Sequence, residues 1–203
     1  MLHEIQPRSP EETRNRILVA TRAIFAKKGR RGTTTREIAE SAGVNEATLF
    51  RHFGSKDAII DAAVERFCAT GELQELAAGL SGNLEADLRR LANALVERME
   101  QVQDLIIMSL VEQEPHSAVS SAAWRAPGAI RHIVGDYMAK RVESGDLQGD
   151  PLLLARFFMG MIFADVIGRK KLPVTDYNKD DLITFQIDVF LNGVRKNKVH
   201  GNA

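Results

Sequence analysis

TTREIAESAGVNEATLFRHFGSK, from Thr34 to Lys56, is the stretch that decides the fold. It reads as two short helices joined by almost nothing. Helices that cross steeply on so short a connection need a small residue where they touch, a turn residue without a Cβ, and apolar side chains to lock the pair. Ala39 is the small contact residue. Gly43, four residues on, sits where the chain must turn left-handed. Ile38, Val44 and Leu49 supply the lock. Thr34 and Glu37 have capping-box spacing for the first helix, and Asn45 can cap the second through Phe53. Such a unit lays its second helix in the major groove of DNA, with that helix's N-terminal residues nearest the base edges.

Working outward, every periodic stretch reads as helix. Ser9-Pro10-Glu11-Glu12 has the form of a helix start, with Ser9 as cap and Pro10 in the first turn. Ile17, Leu18, Thr21, Ile24 and Phe25 follow at helical spacing until Gly29. After Gly54, Ser55 caps a fourth helix carrying Ile59, Ile60, Ala63, Val64 and Phe67. The remainder predicts five or more helices, with starts near Leu84, Asp104, Ser117, Pro127, Asp150 and Asp180. Breakers separate them at Gly79 to Gly82, Pro115, Pro127, Gly145 to Pro151, and Pro173. No stretch alternates over a strand length, so the expected class is all-α.

Thr34–Lys56 resembles the signature of the TetR family of bacterial regulators, and Phe25-Ala26-Lys27-Lys28-Gly29 is similar to the end of that family's first helix. The strong match covers roughly residues 14–60. The resemblance implies a helix-turn-helix DNA-binding domain over 1–54 and a helical ligand-binding and dimerisation domain over 55–203. It also implies that Thr35, Arg36, Thr48, His52 and Lys56 hold the DNA backbone, with Thr34 and Phe50 in the same surface. Asn45, Glu46, Ala47 and Arg51 fall where base edges or nearby phosphates are reached. Phosphate contacts position and base contacts specify. Arg51 is the residue expected on guanine, whose O6 and N7 match its fork. Arg30 and Arg31 are expected to add positive charge. One departure stands out: the family usually has tyrosine where this chain has Phe50. Its ring can pack on the sugar–phosphate backbone but cannot donate to a phosphate. The plainer reading makes Ile38, Ala39, Val44, Leu49 and Phe53 core, and the polar residues ordinary surface.

Two later stretches are too apolar for solvent. Leu152 to Ala164 is apolar nearly all round, and Leu182, Ile183, Phe185, Ile187, Val189, Phe190, Leu191 and Val194 cover more than one face of the last helix. Helices of that kind must be covered on all sides. A homodimer seam is the expected cover, with Phe157, Gly160, Ala164 and Phe190 in it; the resemblance implies a four-helix seam from the last two long helices. Met99, Leu105, Met108, Trp124, Tyr137, Phe158 and Met161 are candidate linings for an effector pocket, each with core packing as the competing role. They favour an apolar or aromatic ligand, whose acidic group could meet Arg125, Arg131 or His132.

The chain has 203 residues and no net charge, yet residues 1–60 carry 11 Lys/Arg against 7 Asp/Glu and the remainder 16 against 20. A basic head on an acidic body fits a nucleic-acid module joined to another part. Cys68 is alone, so no intramolecular disulfide forms. With no apolar leader and no run approaching 18 apolar residues, a cytoplasmic protein without a membrane role is expected. Glu112, Glu114 and His116 suggest a metal site, but Pro115 spoils helical ligand spacing. There is no Gly-rich phosphate loop, no nucleophile elbow and no cysteine cluster. The expectation is a non-enzyme without cofactor or metal: a regulator, implied by the family to be a repressor, released from a palindromic operator by a small effector. The alternative is a helical ligand-binding or metal-binding protein that does not bind DNA.

Overall fold

Ser9 opens the first helix as its sequence predicts, its hydroxyl accepting from the Glu12 N–H at 3.1 Å. The computed structural model describes residues 9–111, 118–171 and 177–194, with side chains except at 109–127 and 170–171. Nine α-helices and no β-strand occur among the described residues. They are α1 (Pro10–Gly32), α2 (Thr35–Ala42), α3 (Glu46–Phe53), α4 (Lys56–Phe67), α5 (Gly71–Ala78), α6 (Leu84–Val111), α7 (Ala118–Glu143), α8 (Pro151–Lys171) and α9 (Lys179–Val194). The all-α expectation therefore holds. α1 breaks at Gly29, whose φ of 66° only glycine adopts readily. The Thr33 N–H and hydroxyl then close onto the Gly29 carbonyl at 3.1 and 2.7 Å.

The described residues form two compact units, one from those up to Ala69 with those between 104 and 125, the other from Thr70–Gln103 with those beyond 125. In the first, Ile17 and Ala20 of α1, Ile38, Ala39 and Ala42 of α2, Leu49 of α3 and Ile59 of α4 make one buried cluster, and Ile24, Val44 and Phe53 pack against it. The lock residues named from the sequence are this core. α4 packs on α1 through Ile59 and its neighbours, so a division after Gly54 cuts through this cluster.

In the second unit, Leu88, Leu91 and Leu95 of α6, Val134 and Met138 of α7, Ala155, Phe158 and Ile162 of α8, and Ile187 and Phe190 of α9 are buried. The expected starts at Leu84, Asp150 and Asp180 correspond to α6, α8 and α9, and Asp150 caps α8 by accepting from Leu153 N–H at 2.8 Å. Asp104 lies inside α6 and Pro127 inside α7, so neither begins a helix. Proline costs most in a helix interior, by about 3 kcal/mol, yet α7 continues through it. The start expected at Ser117 and the break at Pro115 lie outside the described residues, as does Pro173. α5 has no side-chain cap, which explains why no start signal marked it.

Candidate nucleic-acid interface

The α2–α3 connection is three residues long and satisfied by backbone. The Val44 N–H donates to the Ala39 carbonyl at 3.0 Å and the Gly43 N–H to that of Glu40 at 3.2 Å, which is a Schellman close. It requires Gly43 to be left-handed, at φ 63° and ψ 45°. Asn45 then starts α3, its Oδ1 accepting from both the N–H and the hydroxyl of Thr48 at 2.8 Å. Thr34 starts α2 by accepting from the Glu37 N–H at 3.2 Å and donating to Glu37 Oε2 at 3.0 Å. Each cap is worth about 1 kcal/mol.

A contact absent from the sequence reading clamps this turn. The Arg16 guanidinium, from α1, donates to the Ala42 carbonyl and lies 3.3 Å from that of Gly43. It places a cation on the carbonyl end of α2, where the helix dipole favours one. A Cβ at Gly43 would lie 2.6 Å from that guanidinium and displace it, while the left-handed backbone is what requires glycine there. Arg14, two residues earlier on α1, stacks on the Phe53 ring at 4.5 Å and steadies the end of α3. Nothing in local sequence distinguishes these two arginines from solvated ones.

The structure brings the expected α3 surface together. Asn45, Glu46, Ala47, Phe50 and Arg51 are exposed along it, Thr48 and His52 half-buried. Leu49 faces the core, which turns its neighbours outward. Phe50 is 46% exposed, so its ring is presented rather than buried. Arg51 is exposed and makes no hydrogen bond or ion pair with a described residue.

Other expected contacts are differently engaged. The Thr35 hydroxyl donates to Glu46 Oε2 at 2.6 Å, bridging the starts of α2 and α3. The Arg36 Nε donates to Glu40 at 2.9 Å. Glu40 and, more weakly, Glu46 raise the Arg36 pKa above its already high ordinary value. The Lys56 ammonium donates to the Arg30 carbonyl at 3.0 Å. Arg30 itself is not a free positive charge, because Asp57 and Asp61 (2.7 Å) hold its guanidinium. Lys28 pairs with Glu37, and together with Thr34 it holds the Glu37 carboxyl below its ordinary value. The surface is thus a set of charges partly satisfied by each other, which phosphates would have to replace.

Of the dimer candidates, Phe157 is 58% exposed and Gly160 and Ala164 are exposed beside it. Phe190 is not: it is 1% exposed, stacked beneath Phe157 at 6.3 Å and edge-on to Phe158 at 5.3 Å. Its assignment to a seam is corrected to the protomer core. Leu153, Phe185 and Val189 are exposed on the same two helices. No unbroken run of 18 apolar residues occurs, as expected, yet the helical segment Pro151–Arg169 is long and apolar enough to cross a membrane by length and composition alone. Three charges interrupt it: Arg156 is exposed, whereas Arg169 pairs with Asp165 at 2.7 Å and approaches Glu100, which also accepts from Lys179 at 3.1 Å.

Among the effector candidates, Met99, Tyr137, Phe158 and Met161 belong to the second unit, and Leu105 and Met108 to the first. The Tyr137 hydroxyl donates to buried Asp87 at 3.2 Å, so Tyr137 and Phe158 have packing roles of their own. Arg131 and His132 are exposed. The side chains of Trp124 and Arg125 lie outside the described residues, as do Glu112, Glu114 and His116. No cluster of three or more potential metal ligands occurs among the described residues.

Residues 17–63 match the family model described as bacterial regulatory proteins, tetR family. The chain is 31% identical over 186 residues to the HTH-type transcriptional regulator YvkB of Bacillus subtilis, covering 90% of this chain and 97% of that one. It is 31% identical over 105 residues to the HTH-type transcriptional repressor KstR2 of Mycobacterium tuberculosis, covering 52% of this chain and 46% of the repressor. Among solved structures, the fatty acid degradation regulator FadR from Bacillus halodurans superposes with a TM-score of 0.70 at 16% identity, covering 93% of this chain and 98% of that one. The flavonoid-responsive regulator FrrA superposes with a TM-score of 0.68 at 20% identity, covering 92% and 99%.

Proposed function

Because the chain belongs to the TetR family of bacterial regulatory proteins, and is a helix-turn-helix transcriptional regulator, we propose that it is a homodimeric repressor released from a palindromic operator by a small apolar or aromatic effector. The observation that carries the reading is α3, an eight-residue helix capped by Asn45 and locked by Leu49, whose outer face presents Glu46, Ala47, Phe50 and Arg51. Its N-terminal end is the part that reaches base edges when such a helix enters the major groove. Arg51 reads guanine. Thr34, Arg36, Thr48 and His52 lie along the phosphates, and Lys56 joins them by giving up its bond to the Arg30 carbonyl.

The exposed apolar face of α8 and α9 pairs with the same face of a second copy, an isologous contact that sets the two α3 helices about a two-fold axis. The division of labour is recognition by 1–54 and effector binding and pairing by 55–203, with α4 in the second part by function although it packs with the first. Effector binding shifts α4 and spoils the spacing of the two recognition helices. The apolar and methionine content of the body supports an acyl or aromatic effector, in line with the chemistries named for two proteins of this fold.

The test is calorimetric titration of a flavonoid and of a long-chain fatty acid, with and without saturating operator duplex. Coupling is reciprocal, so operator must weaken the effector by the factor through which effector weakens operator, about 5–150-fold. Equal effector affinity in both titrations rejects induction by that compound.

A further inference from the structure

We propose that Glu46 is a base-reading residue that selects cytosine in each half-site, and that Thr35 is the residue positioning its carboxylate rather than a phosphate contact. The proposal rests on the operator reading and adds to it a specificity that the family match does not give.

The α2–α3 surface carries a misfit. A surface that meets phosphates should carry no carboxylates, since each repels the backbone it approaches. Three lie on or beside α2 and α3. Glu37 is turned back to Lys28 and Thr34. Glu40 is paired with Arg36 one turn away on its own helix. Glu46 has no ion pair among the described residues. It is exposed at the first position of the recognition helix, and its Oε2 is held at 2.6 Å by the Thr35 hydroxyl from the other helix of the motif. Oε1 has no hydrogen-bond partner among the described residues. The side chain is therefore oriented across two helices with one acceptor oxygen unspent.

In the major groove the only donors are the amino groups of cytosine N4 and adenine N6. Guanine presents O6 and N7, and thymine presents O4, all acceptors that repel a carboxylate. Adenine's amino group is flanked by the N7 acceptor, whereas cytosine's neighbour is a C–H. A carboxylate held at the start of α3 is thus matched best by cytosine and worst by guanine. The bond from Thr35 matters because a free glutamate side chain would lose rotamer entropy on ordering; here part of that ordering precedes DNA binding.

The test is selection from a randomised duplex pool by wild type, Glu46→Gln, Thr35→Val and the double variant, followed by affinities on the selected duplex and on one with the cytosine pair swapped. Wild type should enrich cytosine at one symmetric position per half-site and prefer it by about tenfold or more. Glu46→Gln should lose that preference at that position alone. Thr35→Val should weaken binding to the cytosine duplex more than to the swapped one, and should add nothing in the Glu46→Gln background. Identical profiles for wild type and Glu46→Gln overturn the role of Glu46. Equal loss on both duplexes for Thr35→Val, additive with Glu46→Gln, makes Thr35 a phosphate contact and overturns its positioning role. If wild type enriches no palindrome, the operator reading fails first and this assignment with it.

Discussion

Replacing Phe157 by glutamate should separate the dimer without unfolding the protomer. A phenylalanine covers on the order of 200 Å² when fully buried, and 58% of this one is left open in the single chain. Roughly 100 Å² per ring at about 25 cal/mol per Å² is ~2.5 kcal/mol. An isologous contact contains the ring twice, so ~5 kcal/mol is the upper bound for the pair. Half of that already weakens the dimer by about two orders of magnitude, and burying a carboxylate in each copy's contact weakens it further. Inside the protomer, Phe157 loses mainly its stacking on Phe190, so the single chain should stay folded with a thermal midpoint within a few degrees. Sedimentation equilibrium at micromolar concentration, alongside circular dichroism, separates the effects. Wild type should sediment as a dimer and Phe157→Glu as a folded monomer that no longer binds the full operator. A variant that sediments as wild type does would refute the use of this face. Phe190→Arg is a contrasting control: a charge in a core position that is 1% exposed should unfold the protomer itself.

Three further outcomes are expected. Phe50→Tyr should tighten operator binding without altering sequence preference, because a hydroxyl on an exposed ring can donate to a phosphate, worth about 1.5–3 kcal/mol with good geometry; weaker binding on a duplex titration would show the ring in a dry contact. Arg16→Ala should lower stability by about 1–3 kcal/mol in urea titration, since two carbonyls at the end of α2 lose a charged donor, and an unchanged midpoint would show the clamp to be idle. Asp87 gives a pH dependence. Burial pushes its carboxyl up, but the donors from Ser81, Gly82 and Tyr137 outweigh burial and hold it below its ordinary value. A depressed folded-state pKa gives stability that is full above the unfolded value near about 4 and is lost as pH falls through the folded one. Asp87→Asn should therefore destabilise at neutral pH and flatten the acid limb below about pH 4; an unchanged limb would remove Asp87 from the account.

What could be read from the sequence was local. Ser9, Thr34, Asn45 and Ser55 cap within three residues of themselves, and Gly43 turns where it stands, so contiguous residues specify the motif. Contacts between distant residues were not legible. Lys56 and Arg30 looked like free cations, yet one donates to a carbonyl 26 residues away and the other is held by an aspartate 31 residues away. Arg16 likewise carries no local signal of its reach to the Ala42 carbonyl, 26 residues away. Apolar periodicity marked α8 and α9 as covered but could not say by what: Phe157 and Phe190 read alike, and only packing separates the open ring from the buried one.

The most direct test of the central claim is a footprint. Purified wild-type protein is used to retain genomic fragments against bulk competitor DNA at physiological salt, and the retained fragments are footprinted with wild type and Arg51→Ala. Wild type should give paired protected stretches related by a two-fold axis. Their major-groove centres should lie about 34–36 Å apart or a multiple of it, and Arg51→Ala should lose preference at one symmetric position. Retention of no fragment above competitor, or protection with no symmetry, would contradict the central claim.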